Sequence, residues 1–320
     1  MVMKMKNKAP LLFILIAAIL SLNCGGIKHA HKEAIAFSDI DYGFETQILD
    51  ASPNIAYIDE GSGDQTILLV HGLASNAGFW RYNIEALSEN YRVIAVDLPG
   101  YGKSEKGDLP YGMGFYAQVL ANFITQMDLD NVVYVGHSMG GQIGITLAIN
   151  HPEMISELVL AAPAGIEKFD RGEGKWLANV FTQEGIIKAP EPTIRENLSL
   201  NFYRWNPKWE WMVEERVRMA KSPEMNEFAY TVVQSIKAMI DEPTSDYLHL
   251  ITHPTFIIYG NEDGLIPNRY LNPGHTTDVF EQGVAKIPNA TSKALNKTGH
   301  LLQIENPGGF NSALLDYLND

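Results

Sequence analysis

Five short apolar runs, at residues 67–70, 93–96, 132–135, 158–161 and 256–259, constrain this chain more than any other feature. Each has the length of a strand and is rich in Val, Ile and Leu, and such runs fit strands buried on both faces of a parallel sheet. Segments with helix-spaced apolar residues lie between or beyond them, at 79–87, 115–127, 142–150 and 310–318. A strand parallel to its predecessor needs a crossover to bring the chain back, so the alternation predicts an α/β fold with a mostly parallel, doubly covered sheet. Two alternating stretches, at 46–49 and 54–59, flank Ser52-Pro53 and predict a hairpin ahead of it. The alternation breaks once. From about 167 to 250 no strand-like run occurs, while Met225, Phe228, Val232, Ile236 and Met239 keep helical spacing, which predicts a helical insertion placed as a lid over the carboxyl edge of the sheet. The expected organisation is a core formed by 44–166 and 251–320, with a lid of 167–250 between its two parts.

The N-terminus differs from the rest. Lys4, Lys6 and Lys8 precede an apolar run at 11–20, followed by Ser21-Leu22-Asn23-Cys24, the layout of a secretion signal. The run falls short of the about 20 apolar residues that a membrane span takes. Cys24 is the only cysteine, so no intrachain disulfide can form, and it stands where a bacterial lipoprotein signal places the residue that receives lipid, with Asn23 in the place of the usual small residue. The expectation is a signal peptide of 1–23, an exported linker of 24–43, and attachment to a cell-envelope membrane through lipid on Cys24, facing periplasm or exterior. A lone cysteine beside an ordinary signal peptide, or an uncleaved anchor, is the alternative. The formal charge of −14 excludes nucleic acid as a partner, because a phosphate backbone requires a cationic face.

The run at 132–135 leads straight into Gly136-His137-Ser138-Met139-Gly140-Gly141, where a helical pattern begins at once. This is a G-x-S-x-G nucleophile elbow in strand–turn–helix context. A serine hydroxyl is a weak nucleophile at neutral pH, and raising it on a sharp turn exposes it to a base and to substrate, which demands glycine at crowded neighbours. A tight turn with no chemistry is the alternative for the motif taken alone.

Three more motifs stand in order around it: His71-Gly72-Leu73-Ala74-Ser75, Asp97-Leu98-Pro99-Gly100-Tyr101-Gly102-Lys103-Ser104, and Gly260-Asn261-Glu262-Asp263-Gly264-Leu265-Ile266-Pro267 followed by Gly299-His300. With these four the chain resembles the α/β-hydrolase superfamily in its lid-bearing branch, over residues 45–319. The resemblance implies an α/β-hydrolase fold with Ser138 as nucleophile, His300 as general base and Asp263 as the carboxylate that steadies it, in the chain order of that family. It also implies an oxyanion hole formed by the backbone N–H groups of Leu73 and Met139. Glu262 is the rival of Asp263, and the spacing from Gly260 favours the latter. His71 and His137 are expected to be structural. Asp97 is expected to tie its own loop together, with a substrate role left open. The serine at the elbow excludes the haloalkane dehalogenases and epoxide hydrolases of this fold, which attack with aspartate. No H-E-x-x-H or Cys/His cluster occurs, so neither metal nor cofactor is expected.

Trp176, Trp205, Trp209 and Trp211 fall within the insertion. They predict either an apolar acyl pocket or the insertion's own core, and Trp209, Met212, Val213 and Val217 share a helical face that favours core for those four. No arginine clamp for a substrate carboxylate is identifiable. The expected function is hydrolysis of a small carboxylic ester with an apolar acyl group, through an acyl-enzyme on Ser138. The alternatives are a carbon–carbon bond hydrolase of the meta-cleavage-product type, against which export weighs, and a non-catalytic ligand-binding lipoprotein, against which the complete set of catalytic parts weighs.

Overall fold

The apolar runs pair side by side. The computed structural model describes residues 27–319, so the signal-like segment 1–23 and Cys24 lie outside the described residues. In chain order the elements are β1 (Gln47–Leu49), β2 (Ile55–Glu60), β3 (Thr66–Val70), α1 (Ile84–Ser88), β4 (Arg92–Val96), α2 (Met113–Gln126), β5 (Val132–His137), α3 (Met139–Asn150) and β6 (Glu157–Ala161). Then come five helices with no strand among them: α4 (Arg171–Val180), α5 (Gln183–Ile187), α6 (Glu191–Ser199), α7 (Glu210–Met219) and α8 (Met225–Asp241). The chain closes with β7 (Thr255–Gly260), α9 (Thr276–Lys286), β8 (Ala290–Leu295), α10 (Leu302–Glu305) and α11 (Pro307–Asn319).

The described residues form an eight-stranded sheet in the order β1-β2-β4-β3-β5-β6-β7-β8. The pairs β1–β2 and β2–β4 are antiparallel and the others parallel. In register, Val70 lies opposite Gly136 and Gly136 opposite Leu160, which lies opposite Ile257. The loops that leave β3, β5 and β7 therefore emerge on one edge, the carboxyl edge where open α/β sheets bind ligands. Every residue of β3, β5 and β7 is buried, as their uninterrupted apolar sequence requires.

Strand β8, helix α9 and the single-turn helix α10 fall outside the sequence reading. Strand β8, Ala-Thr-Ser-Lys-Ala-Leu, is an edge strand with mostly exposed side chains, so it needs no apolar run. Helix α9 follows it in being largely exposed, with Phe280 as its one large buried side chain. The helix predicted at 79–87 is split into a 3₁₀ turn at Ala77–Trp80 and the short α1. Buried Asn83 sits at the break, its amide donating to Gln303 O (3.2 Å) and Asn311 Oδ1 (2.8 Å).

The segment 24–43, expected as a linker, is fastened to the protein at several points in its described part, though many of its residues are exposed. Phe37, Ile40 and Tyr42 are buried in the main core. Residues just before them clasp the insertion: the N–H groups of Lys28 and His29 donate to the Glu191 carboxylate, Ile35 N–H donates to Arg218 O, and Phe37 N–H donates to Glu224. His29 Nε2 lies 2.9 Å from Glu210, and Arg195 pairs with both Glu191 and Glu210. That His–Glu–Glu group has its cation in place in the Arg195 guanidinium. Among the described residues no helix is long and apolar enough to cross a membrane.

Candidate active site

Ser138 connects β5 to α3 with φ 53° and ψ −115°, a conformation an L-residue adopts only when its surroundings hold it there. The surroundings are crowded backbone. A Cβ on Gly136 would come within 2.3 Å of Gly140 O, and one on Gly140 within 2.5 Å of Val70 O, so a side chain at either place would force the turn open.

His300 and Asp263 arrive from the two loops that follow β8 and β7. Nδ1 of His300 lies 2.6 Å from Asp263 Oδ2, with both side chains almost wholly buried. The other carboxylate oxygen accepts from the N–H groups of Leu265 (2.7 Å) and Ile266 (3.0 Å). Three donors thus hold one carboxylate in place. Of the two adjacent acids it is Asp263 that meets His300, while Glu262 is exposed. Ser138 and His300 line the same cavity.

Leu73 and Met139 flank the serine. Leu73 lies in the turn after β3 and lines the cavity. Met139 begins α3, where first-turn N–H groups have no intrahelical acceptor. Gly72 brings the two turns together: a Cβ there would stand 2.8 Å from His137 Nδ1 and 3.1 Å from Ser138 Cβ.

The neighbouring polar residues are occupied by the scaffold. Asp97 is fully buried, accepting from Ala77 N–H and Lys103 N–H (2.7 Å each) and from the Tyr42 hydroxyl (2.8 Å), so it fastens its own loop to the N-terminal segment. His71 accepts from Leu98 N–H on Nε2 and donates from Nδ1 to Gly72 O, and burial pulls its pKa down. His137 donates from Nε2 to His300 O (3.0 Å). Burial and the neighbouring His300 hold its pKa well below the usual imidazole range, so it stays neutral.

The cavity measures ≈ 760 Å³ and lies between the sheet edge and the helical insertion. Its walls are mainly aliphatic, with Leu177, Val180, Ile186 and Ile240 from the insertion, and three phenylalanines, Phe79, Phe169 and Phe181. None of the four tryptophans lines it. Trp209 stacks on Phe202 at 4.1 Å and packs with Met212 in a separate cluster, Trp205 and Trp211 pack against that cluster, and Trp176 is exposed. Three of the insertion's tryptophans, Trp205, Trp209 and Trp211, therefore pack in the cluster that joins the insertion to Phe79, Leu301 and Ile304, rather than in the cavity wall.

Four charged residues of the cavity escaped sequence reasoning, of which Lys168 and Asp246 are exposed and pair with each other (2.7 Å). Arg216 lines the wall and donates to Ala74 O, one residue past Leu73, while its Nε is shut away from solvent with no hydrogen-bond partner. Burial lowers its pKa and the carboxylate of Glu215 opposes that effect. A signal existed, since Arg216 stands four residues after Met212 and three before Met219, both buried, which places it beside an apolar helix stripe. The fourth is Glu167, which accepts from Asn268 N–H (2.8 Å) and Asn272 Nδ2 (2.9 Å), its pKa raised by burial and, more weakly, by Asp263. No local pattern distinguishes it in sequence.

A capped parallel sheet, with a strained serine turn and a histidine–carboxylate pair at its carboxyl edge, defines the class of α/β hydrolases. A family model described as "alpha/beta hydrolase fold" matches residues 65–307, and the chain belongs to that family. Its relatives by sequence include a 2-hydroxy-6-oxononadienedioate/2-hydroxy-6-oxononatrienedioate hydrolase of Pseudomonas putida, 28% identical, covering 84% of this chain and 93% of the relative. Another is a 2-hydroxy-6-oxo-6-(2'-aminophenyl)hexa-2,4-dienoic acid hydrolase of Metapseudomonas resinovorans, 26% identical, covering 82% of this chain and 87% of the relative. Among solved structures, a probable hydrolytic enzyme of Pseudomonas aeruginosa PAO1 superposes with a TM-score of 0.80 at 25% identity, covering 89% of this chain and 98% of that one. The protein is a hydrolase of this fold.

Proposed function

We propose that the protein hydrolyses a carbon–carbon bond next to a ketone in a small, carboxylate-bearing substrate of the 2-hydroxy-6-oxo-dienoic acid class. The observation that carries this reading is Arg216, a cation in the wall of a mainly apolar cavity that donates to Ala74 O, one residue past Leu73; the cavity's other cation, Lys168, is exposed and paired with Asp246. A guanidinium suits a carboxylate by charge and by fork geometry, and an ester with a plain acyl chain has no use for one. The sequence-related hydrolases of dienoic acids point the same way. This replaces ester cleavage, the first expectation from sequence, as the leading reading.

In this reading Ser138 attacks the ketone carbon while His300 takes the hydroxyl proton, and Asp263 balances the imidazolium that forms. The N–H groups of Leu73 and Met139 hold the oxyanion. The substrate reacts as its 2-keto tautomer, in which the 2-hydroxyl proton has moved to the carbon beside the ketone; the bond from that carbon then breaks, its electron pair spreads through the unsaturated keto acid, and that fragment takes up a proton on oxygen. Water, activated by His300, releases the acyl group from Ser138 as a carboxylic acid. The helical insertion serves as a lid that keeps bulk water from the site.

Ester hydrolysis is the second reading, favoured by the aliphatic part of the cavity around Leu177, Val180 and Ile186, which suits an acyl chain. The two separate on one comparison: a dienone acid and a p-nitrophenyl ester series, each assayed with the wild type and Arg216→Met. Carbon–carbon hydrolysis predicts turnover of the acid and, in the variant, a loss of kcat/KM for it of about 10- to 100-fold, with the uncharged esters spared. Esters turned over, with the acid untouched, would transfer the assignment to the second reading.

The proposal keeps export and lipidation. Mass spectrometry of the mature protein from a bacterial host should find Cys24 at the N-terminus, carrying acyl groups. An intact N-terminus, or an unmodified Cys24, would remove the membrane attachment from the account.

A further inference from the structure

Resting on the reading of His300 as general base, we propose that Glu305 is a positioning residue that makes the placement of His300 depend on the closed helical insertion. Glu305 ends α10, five residues after the histidine. Its carboxylate collects three backbone donors: Oε2 accepts from Gly299 N–H (2.6 Å) and Tyr203 N–H (3.1 Å), and Oε1 accepts from Arg204 N–H (3.2 Å). Gly299 immediately precedes His300. Tyr203 and Arg204 belong to the turn between α6 and α7 of the insertion, about a hundred residues away in the chain.

A second link runs alongside, because Leu301 N–H donates to Asn201 O (3.0 Å) of the same turn. The approach is close enough to require glycine. A Cβ on Gly299 would lie 2.6 Å from Tyr203 N and 2.7 Å from Asn201 O. The residues on either side of His300 are thus both anchored to the insertion turn, Gly299 through Glu305 and Leu301 directly, while the histidine's own carbonyl is held by His137.

The bond to Asp263 fixes one ring nitrogen, and the position of the other, toward Ser138, follows from where the backbone sits. Without an anion, the three N–H groups that converge on Glu305 would be left without their shared acceptor. If the 201–204 turn swings outward, Glu305 loses two of its three donors and Leu301 its acceptor, which frees the His300 loop. Closure of the insertion therefore completes the base as well as enclosing the substrate.

The test uses the full chain with p-nitrophenyl acetate as probe, and a proton NMR spectrum of the His300 Nδ1–H in its bond to Asp263. Glu305→Ala should lower kcat about tenfold or more with KM little changed, and should broaden or shift that low-field resonance. Glu305→Gln keeps one oxygen for Gly299 N–H and should recover part of the loss, and it carries the test if the alanine variant fails to fold. Wild-type kcat with an unmoved resonance in the Gln variant, or a loss confined to KM, would overturn the coupling. Wild-type turnover no better than that of Ser138→Ala would instead strike at the reading of the site itself, and the resonance would still report whether Glu305 positions His300.

Discussion

Ser138→Ala should abolish turnover of every substrate, with a loss in kcat of about 10⁶-fold, and leave the fold unchanged. The size follows from the way a nucleophile and its base act as a unit, where losing the hydroxyl forfeits most of what the pair contributes together. The residual rate is what binding and the oxyanion donors supply by themselves. Alanine keeps the Cβ and tolerates the φ of 53° about as well as serine does, so thermal unfolding of the variant should match the wild type. The decisive measurement is turnover of the dienone acid and of p-nitrophenyl acetate, together with labelling by a fluorophosphonate. Unchanged turnover in the variant would end the serine-hydrolase account of this cavity.

The second large effect is expected from Asp263→Asn, a loss in kcat of about 10⁴-fold. The carboxylate oxygen 2.6 Å from His300 Nδ1 can only accept, which places the ring proton on Nδ1 and leaves Nε2 free to take the serine proton. An asparagine amide can turn its N–H₂ toward Nδ1. The proton then sits on Nε2, where a base is needed, and no anion balances the imidazolium. The N–H groups of Leu265 and Ile266 still find the amide oxygen, so the loop should hold its shape. Glu262→Gln is the matched control: its side chain is exposed and its neighbour does the work, so kcat should stay within about twofold of wild type. Comparable losses in both variants would show that the loop, rather than the carboxylate at 263, matters.

Arg216 and Glu305 act at opposite ends of the same question. In the proposed function the first, in the wall, selects the substrates that are held. By the proposed coupling, the second would make that choice effective only once the insertion turn at 201–204 lies against the His300 loop. An enzyme so arranged forms its base last, and a reactive acyl intermediate is then made only where water access is already restricted.

The core sheet was legible because its strands are buried on both faces, which leaves a sequence of unbroken apolar runs, and because the serine turn needs glycine at positions where any side chain would meet backbone. Short motifs at strand ends pointed to Ser138, Asp263 and His300 as a candidate triad, of which Asp263 and His300 meet and Ser138 and His300 line one cavity. Strand β8 was not legible, since an edge strand half open to water carries no such run. Nor was the docking of residues 28–42, whose backbone donors to Glu191 and Glu224 depend on helices more than 150 residues away. Local sequence determined the alternation of strand and helix and the chemistry placed at the strand ends. Only the tertiary structure decided that Trp211 packs on Phe79, that Arg216 lines the cavity and that Glu305 joins the insertion to the loop of His300, because each of these is a meeting of segments far apart in the chain.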